Sequence, residues 1–206
     1  MSQTATTTKQ PTPDEALQRL KDGNSRFTHD EAYAADLSRT RRMELAKGQH
    51  PFATLVGCSD SRVGPEQLFG VGLGDLFIVR SAGNNIDIAG TGSVEYSVIA
   101  LGVPLIVVLG HEACGAVVAA TEVVTEDKRF PGSIGPMIAP IIPAVLAAQR
   151  SQPGNLVEAS VEENVRRVVE RLRNGEAVLQ DALEQGKLKV VGAVYSLSTG
   201  EVRWLD

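Results

Sequence analysis

FATLVG at residues 52–57, LFIVR at 76–80 and PLIVVLG at 104–110 are three short, almost uninterrupted apolar runs. Runs of this length without polar alternation suit strands buried on both faces, as in a parallel sheet. Helical patterns lie between and after them, over roughly 91–101, 114–124, 137–150, 160–173 and 176–185. KLKVVGAVYSL at 187–197 reads as a fourth strand, and EVRWL at 201–205 as a short antiparallel edge. Strand alternating with helix predicts an α/β fold, a central and mainly parallel β-sheet flanked by helices with right-handed crossovers. In such folds ligands gather outside the carboxyl ends of the strands, which directs attention to the residues just after each run.

Upstream of the first strand the pattern is helical. Thr12, Pro13, Asp14 and Glu15 form a capping-box sequence that predicts a helix to about Phe27, with Leu17, Leu20 and Phe27 on its apolar side. A second helix is predicted from Ser38 to Lys47, stopped at Gly48, where a left-handed residue costs least. Residues 12–48 thus make an N-terminal helical arm able to reach a neighbouring subunit, and 12–206 a single domain. Residues 1–11, rich in Thr, Gln and Pro, read as a disordered lead-in. FPGSIGPMIAPIIP at 130–143 is an apolar stretch interrupted by prolines, suited to a kinked, buried helix start or a subunit contact.

The 206 residues, 43% of them hydrophobic, are enough for one sizeable core. A formal charge of -5 lacks the basic excess that nucleic-acid binding requires, so no nucleic-acid partner is expected. No apolar run approaches the roughly 20 residues of a membrane span, and MSQTATTTKQPTP has no apolar signal-like centre, so no membrane partner and a cytoplasmic location are expected. GVGLGD at 70–75 precedes a strand instead of joining a strand to a helix, which is the wrong context for a phosphate cradle.

The chain has two cysteines, Cys58 in GCSDSR directly after the first run, and Cys114 in LGHEACGA directly after the third, with His111 beside it. Both segments emerge from one edge of the sheet. His and Cys three apart at a helix start share a side, and Cys58 from the adjacent strand completes a three-ligand arc. Three protein ligands are the composition of a catalytic zinc site, which keeps its fourth position for water. Buried inert thiols with a core histidine, or a reducible pair, are the competing readings; redox pairs more often run Cys-x-x-Cys and need no histidine. Asp60 and Arg62 lie two apart after Cys58, where an arginine fork would keep the carboxylate ionised and oriented.

CSDSRVGPE at 58–66, GDLFIVRSAGN at 74–84, GTGSVEYSVIALGV at 90–103 and GHEACGAV at 110–117 resemble the β-class carbonic anhydrases of bacteria and plants, over about residues 13–206. The resemblance implies a zinc enzyme that hydrates carbon dioxide reversibly to bicarbonate and a proton by attack of zinc-bound hydroxide. It further implies strand order 2-1-3-4 and self-association as a dimer or a dimer of dimers. By position it assigns Cys58, His111 and Cys114 as zinc ligands and Asp60 with Arg62 as the catalytic dyad. Gln49, Phe77, Ala82 and Tyr96 fall at substrate-pocket positions, Gln49 acting from across the dimer, and Gly115 would offer its backbone N–H to bicarbonate. Ala116 departs from the second glycine of many relatives. Members with a non-catalytic bicarbonate pocket carry a tryptophan shortly before the first cysteine, where this chain has FATLVG, so an open zinc site is expected; Arg80, also part of such pockets, does not decide it. Hydrolysis of carbonyl sulfide or carbon disulfide, or bicarbonate sensing without catalysis, are alternatives on the same scaffold.

Overall fold

A computed structural model describes residues 10–31, 35–175 and 177–205. Residues 1–9 of the expected lead-in lie outside that set. Gln10 is tied down: its Nε2 donates to the carbonyls of Pro51 and Leu101, each at 3.2 Å.

The apolar runs become β1 (Ala53–Gly57), β2 (Leu76–Arg80) and β3 (Leu105–His111), joined by β4 (Lys189–Tyr195) and β5 (Val202–Leu205). They form one sheet in the order β2-β1-β3-β4-β5. The first four are parallel and β5 runs antiparallel to β4. In register, Leu55 faces Ile78 on one side and Val107 on the other, and Val107 faces Val191. β1 and β3 are buried at every residue, as their unbroken apolar sequence predicts. β2 departs from that expectation, with half-buried residues and an exposed Arg80. The physical reason is its place at the edge, with a strand on one side only.

Helices cover both faces. On one lie α1 (Pro13–Thr28) and α3 (Pro65–Leu68), while α2 (Arg39–Leu45) between them has no buried residue. The capping box of α1 is present, Thr12 accepting from the Glu15 N–H and Glu15 bonding back to the Thr12 N–H. α2 is capped by Ser38 but ends at Leu45 on a right-handed Ala46, so Gly48 is not the left-handed stop that its residue type suggests. Beyond β2 comes α4 (Ile88–Ile99), which starts three residues ahead of the predicted Thr91 because Asp87 caps it through the Gly90 N–H. The other face carries α5 (Gly115–Glu126), α6 (Ile134–Ile138), α7 (Ile142–Arg150), α8 (Leu156–Asn174) and α9 (Ala177–Glu184). The proline-rich stretch is α6 and the start of α7, broken by a tight turn over Ala139–Ile141, with Ile138 and Ile141 buried.

Val161, Val165, Val168, Val169 and Leu172 give α8 one buried stripe at helical spacing. That stripe lies close on the sheet because β3 and β4 present Gly110 and Gly192 beneath it. A Cβ at either would come within 2.7 or 2.8 Å of a Val165 methyl. Tight packing there fixes the carboxyl end of β3, where the candidate ligands begin. No helix among the described residues is long and apolar enough to cross a membrane.

Candidate metal centre

β1 and β3 are neighbours, with Gly57 opposite Leu109, so the chain leaves both at the same edge. Cys58 comes one residue past β1, and His111 is the last residue of β3. Ala113 then turns the backbone with a left-handed φ of 50° and sets Cys114 as the N-cap of α5. All three side chains are buried, and their candidate ligand atoms lie within 4.8 Å of one another. The two sulfurs are 3.9 Å apart.

His111 Nδ1 lies 2.8 Å from the Glu112 carbonyl, which assigns the proton to Nδ1 and leaves a lone pair on Nε2. Nε2 is fully buried and has no hydrogen-bond partner among the described residues. Such an orphaned atom costs about 1–3 kcal/mol unless something satisfies it. Facing two thiols, it completes a donor set suited to a divalent ion that takes imidazole and thiolate. The residues therefore fit a metal.

The thiols are electrostatically unequal. Cys58 is pulled down, first by the hydrogen bond from Cys114 and further by the N–H groups of Gly83 and Asp60, against the cost of burial. Those N–H groups lie 3.3 and 3.4 Å from the Cys58 sulfur. Cys114 is pushed up by its bond to Cys58 and by burial.

Beside this cluster, Arg62 grips Asp60 with both prongs: Nε donates to Oδ1 at 2.9 Å and an Nη to Oδ2 at 2.7 Å. The Arg62 backbone N–H adds a third bond to Oδ1. The Arg62 side chain is the main reason the Asp60 carboxyl sits well below its usual range. Asp60 Oδ2 stands 3.9 Å from His111 Nε2, so an ionised acceptor borders the metal position.

The expected substrate-pocket residues divide. Phe77 and Ala82 line a cavity of about 830 Å³ that also takes in Arg80, Ile86 and Met137. Tyr96 packs its ring 6.2 Å from that of Phe77 but stands half exposed and outside this lining. Gly115 is the exposed first residue of α5, next to Cys114. Gln49 is exposed just before β1, while the cysteine comes after the strand; at about 3.3 Å per residue the two ends of the sheet are some 15 Å apart. Gln49 thus enters the sheet from the end of β1 opposite to the one that Cys58 leaves.

Two contributors go beyond the residues that the sequence singles out. Gly83 adopts φ 74° and brings its N–H to Cys58, and a Cβ there would meet Ile141 at 2.7 Å and Ala116 at 3.1 Å. Glu112 accepts from the Ser196 hydroxyl and the Leu197 N–H, at 2.9 and 3.0 Å, pinning the end of β3 to the turn after β4. The one available signal is Gly83 itself, shortly after the strand that neighbours β1.

Residues 53–202 match the family model for carbonic anhydrase. The chain belongs to the carbonic anhydrase family. It is 38% identical over 190 residues to a carbonic anhydrase of Mycolicibacterium smegmatis, covering 92% of each chain. It is 39% identical over 188 residues to carbonic anhydrase 2 of Mycobacterium tuberculosis, covering 91% of this chain and 90% of that one. Among solved structures it is similar to a tetrameric β-carbonic anhydrase of Sordaria macrospora, with a TM-score of 0.74, 26% identity, and coverage of 93% and 95% of the two chains. The β-carbonic anhydrase fold is thus the frame in which the Cys-His-Cys cluster stands.

Proposed function

We propose that this chain is a carbonate dehydratase that converts carbon dioxide and water to bicarbonate and a proton, with one zinc ion held by Cys58, His111 and Cys114. The observation that carries this reading is the buried, unpartnered Nε2 of His111 facing two thiols, with the Asp60–Arg62 pair 3.9 Å away. Membership of the carbonic anhydrase family supports it. Bound zinc supplies a Lewis acid that makes water nucleophilic near neutral pH.

The chain's own residues do the rest. Asp60, held ionised by Arg62, accepts a hydrogen bond from the attacking water and orients its lone pair toward carbon dioxide. Arg62 holds both carboxylate oxygens, which would orient Asp60 beside the cluster with a lone pair left for the water. The apolar side chains of Phe77 and Ala82 offer a surface for a substrate with no charge. Gly115, the first residue of α5, donates its N–H to the bicarbonate oxygen in this reading. Cys58 and Cys114 as two thiolates offset the ion's two positive charges, so turnover should rise with pH through the neutral range.

Self-association belongs to the same reading. Ile88, Tyr96 and Ile99 leave one side of α4 exposed beside the edge strand β2, and Gln49 needs a second chain to approach a cluster. The Sordaria relatives are described as tetrameric. A dimer or dimer of dimers is the expected assembly, with Gln49 entering the partner's pocket.

Stopped-flow hydration of carbon dioxide across pH tests the activity on protein of known metal content. Turnover rising with pH, with Asp60→Asn about 10–100-fold slower at unchanged metal content, is the expected result. A zinc-loaded wild type without turnover, or a rate flat across neutral pH, would contradict the proposal.

A further inference from the structure

We propose that Arg80 is a positioning residue, holding the Cys58–Val63 loop so that Asp60 keeps its place on Arg62; the inference rests on the activity proposed above. Arg80 ends β2 directly opposite Gly57 of β1, so its side chain starts beside the loop that β1 feeds. Its Nε donates to the Cys58 carbonyl at 2.7 Å. One terminal nitrogen donates to the carbonyls of Asp60 at 2.8 Å and Val63 at 2.9 Å. Three carbonyls of one loop thus converge on one guanidinium, and two of them belong to a candidate ligand and to the carboxylate beside it.

The segment is also tied by the buried Val63 side chain and by an Arg62 Nη bond to the Ala113 carbonyl at 3.4 Å. The Val63 N–H closes a turn onto the Asp60 carbonyl at 3.1 Å, and the Ser59 N–H reaches Ser81 at 3.2 Å. The Asp60–Arg62 pair fixes its two members against each other, but from the 53% exposed Arg62 its one bond across to β3's exit is the Nη contact to the Ala113 carbonyl at 3.4 Å, so the position of the pair depends on the loop that carries it. Without Arg80 these three carbonyls lose their shared donor and the loop loses its tie to β2, so it is free to shift as water takes over the bonds. Such a shift would carry Asp60 away from His111 Nε2. Lysine is no substitute: a single ammonium on a linear stem lacks the fork that reaches all three acceptors. No bond joins Arg80 to either thiol or to the imidazole among the described residues, so its effect passes through the loop.

Arg80→Met and Arg80→Lys, compared with wild type in two states, test the assignment. In metal-free protein, amide hydrogen exchange at Arg62 and Val63 should quicken about tenfold or more in both variants, while β1 and β3 amides keep their wild-type rates. In zinc-loaded protein, kcat should fall about 10–100-fold with KM changed less than about threefold and zinc content unchanged. Guanidinium ion in the buffer should restore part of the loss in Arg80→Met. If Arg80→Met does not fold, Arg80→Lys carries the comparison. Unaltered exchange in the loop, a kcat loss that only tracks lost zinc, or faster exchange spread through β1 and β3 would each overturn the role. An inactive wild type would sink the activity, and the exchange comparison in metal-free protein would still decide for or against Arg80.

Discussion

At the scale of the residue, the site depends on backbone donors as much as on ligands. Cys58 receives N–H groups from Asp60 and Gly83, and the second is available because Gly83 holds a left-handed backbone in a space too small for a side chain. Gly83→Ala would combine a strained φ with contacts of 2.7 and 3.1 Å, at a cost of about 1–3 kcal/mol. We expect its denaturation midpoint to fall and metal to dissociate faster in a chelator competition; wild-type behaviour in both would mean that Gly83 does not support the cluster. The contrast with the ligands explains what a sequence reveals. Cys58, His111 and Cys114 announce themselves by residue type at strand ends. Gly83 acts through an amide that nearly every residue possesses, and Glu112 through partners 84 and 85 positions along the chain, a contact no local pattern encodes.

At the scale of the element, β1 and β3 are legible in the sequence because burial on both faces demands uninterrupted apolar residues, and α1 because its capping box is written in four consecutive positions. β2 shows the limit of that logic: LFIVR has the composition of a buried strand but occupies an edge. The first turn of α4 escapes prediction because Gly90 and Gly92 weaken helix propensity, whereas burial of Gly90, Thr91 and Val94 and the Asp87 cap hold it in place. α3 is a single turn after Gly64, too short for a periodic signal. α1 is joined to the rest through Asn24, which is buried and donates from Nδ2 to the carbonyls of Leu68 and Gly200 while Oδ1 accepts from the Val202 N–H at 2.8 Å. Asn24→Ala would strand these groups and should cost about 1–3 kcal/mol in a urea titration at unchanged m-value. A loss under a few tenths would mean that α1 is held by Leu20 and its apolar neighbours alone.

At the scale of the whole molecule, the sheet separates two apolar cores, one beneath α5, α7 and α8 and one beneath α1 and α3, and Cys58 and Cys114 of the candidate centre belong to the first, at the carboxyl end of the sheet. The side near β2 is the unfinished one, where Ile99 is 63% and Ile88 is 89% exposed. If a second copy covers this side, Ile99→Asp buries a charge against apolar surface and should lower the mass seen by light scattering, with Gln49-dependent turnover lost alongside. An unchanged mass would place the subunit contact elsewhere. The central claim, that two cysteines and one histidine of this chain hold zinc, is tested most directly by X-ray absorption at the zinc edge on purified protein. The expected result is about one zinc per chain with two sulfur neighbours near 2.3 Å and nitrogen or oxygen neighbours near 2.0–2.1 Å, and loss of one sulfur in Cys58→Ser. Zinc bound without sulfur, or a first shell unchanged by Cys58→Ser, would contradict it.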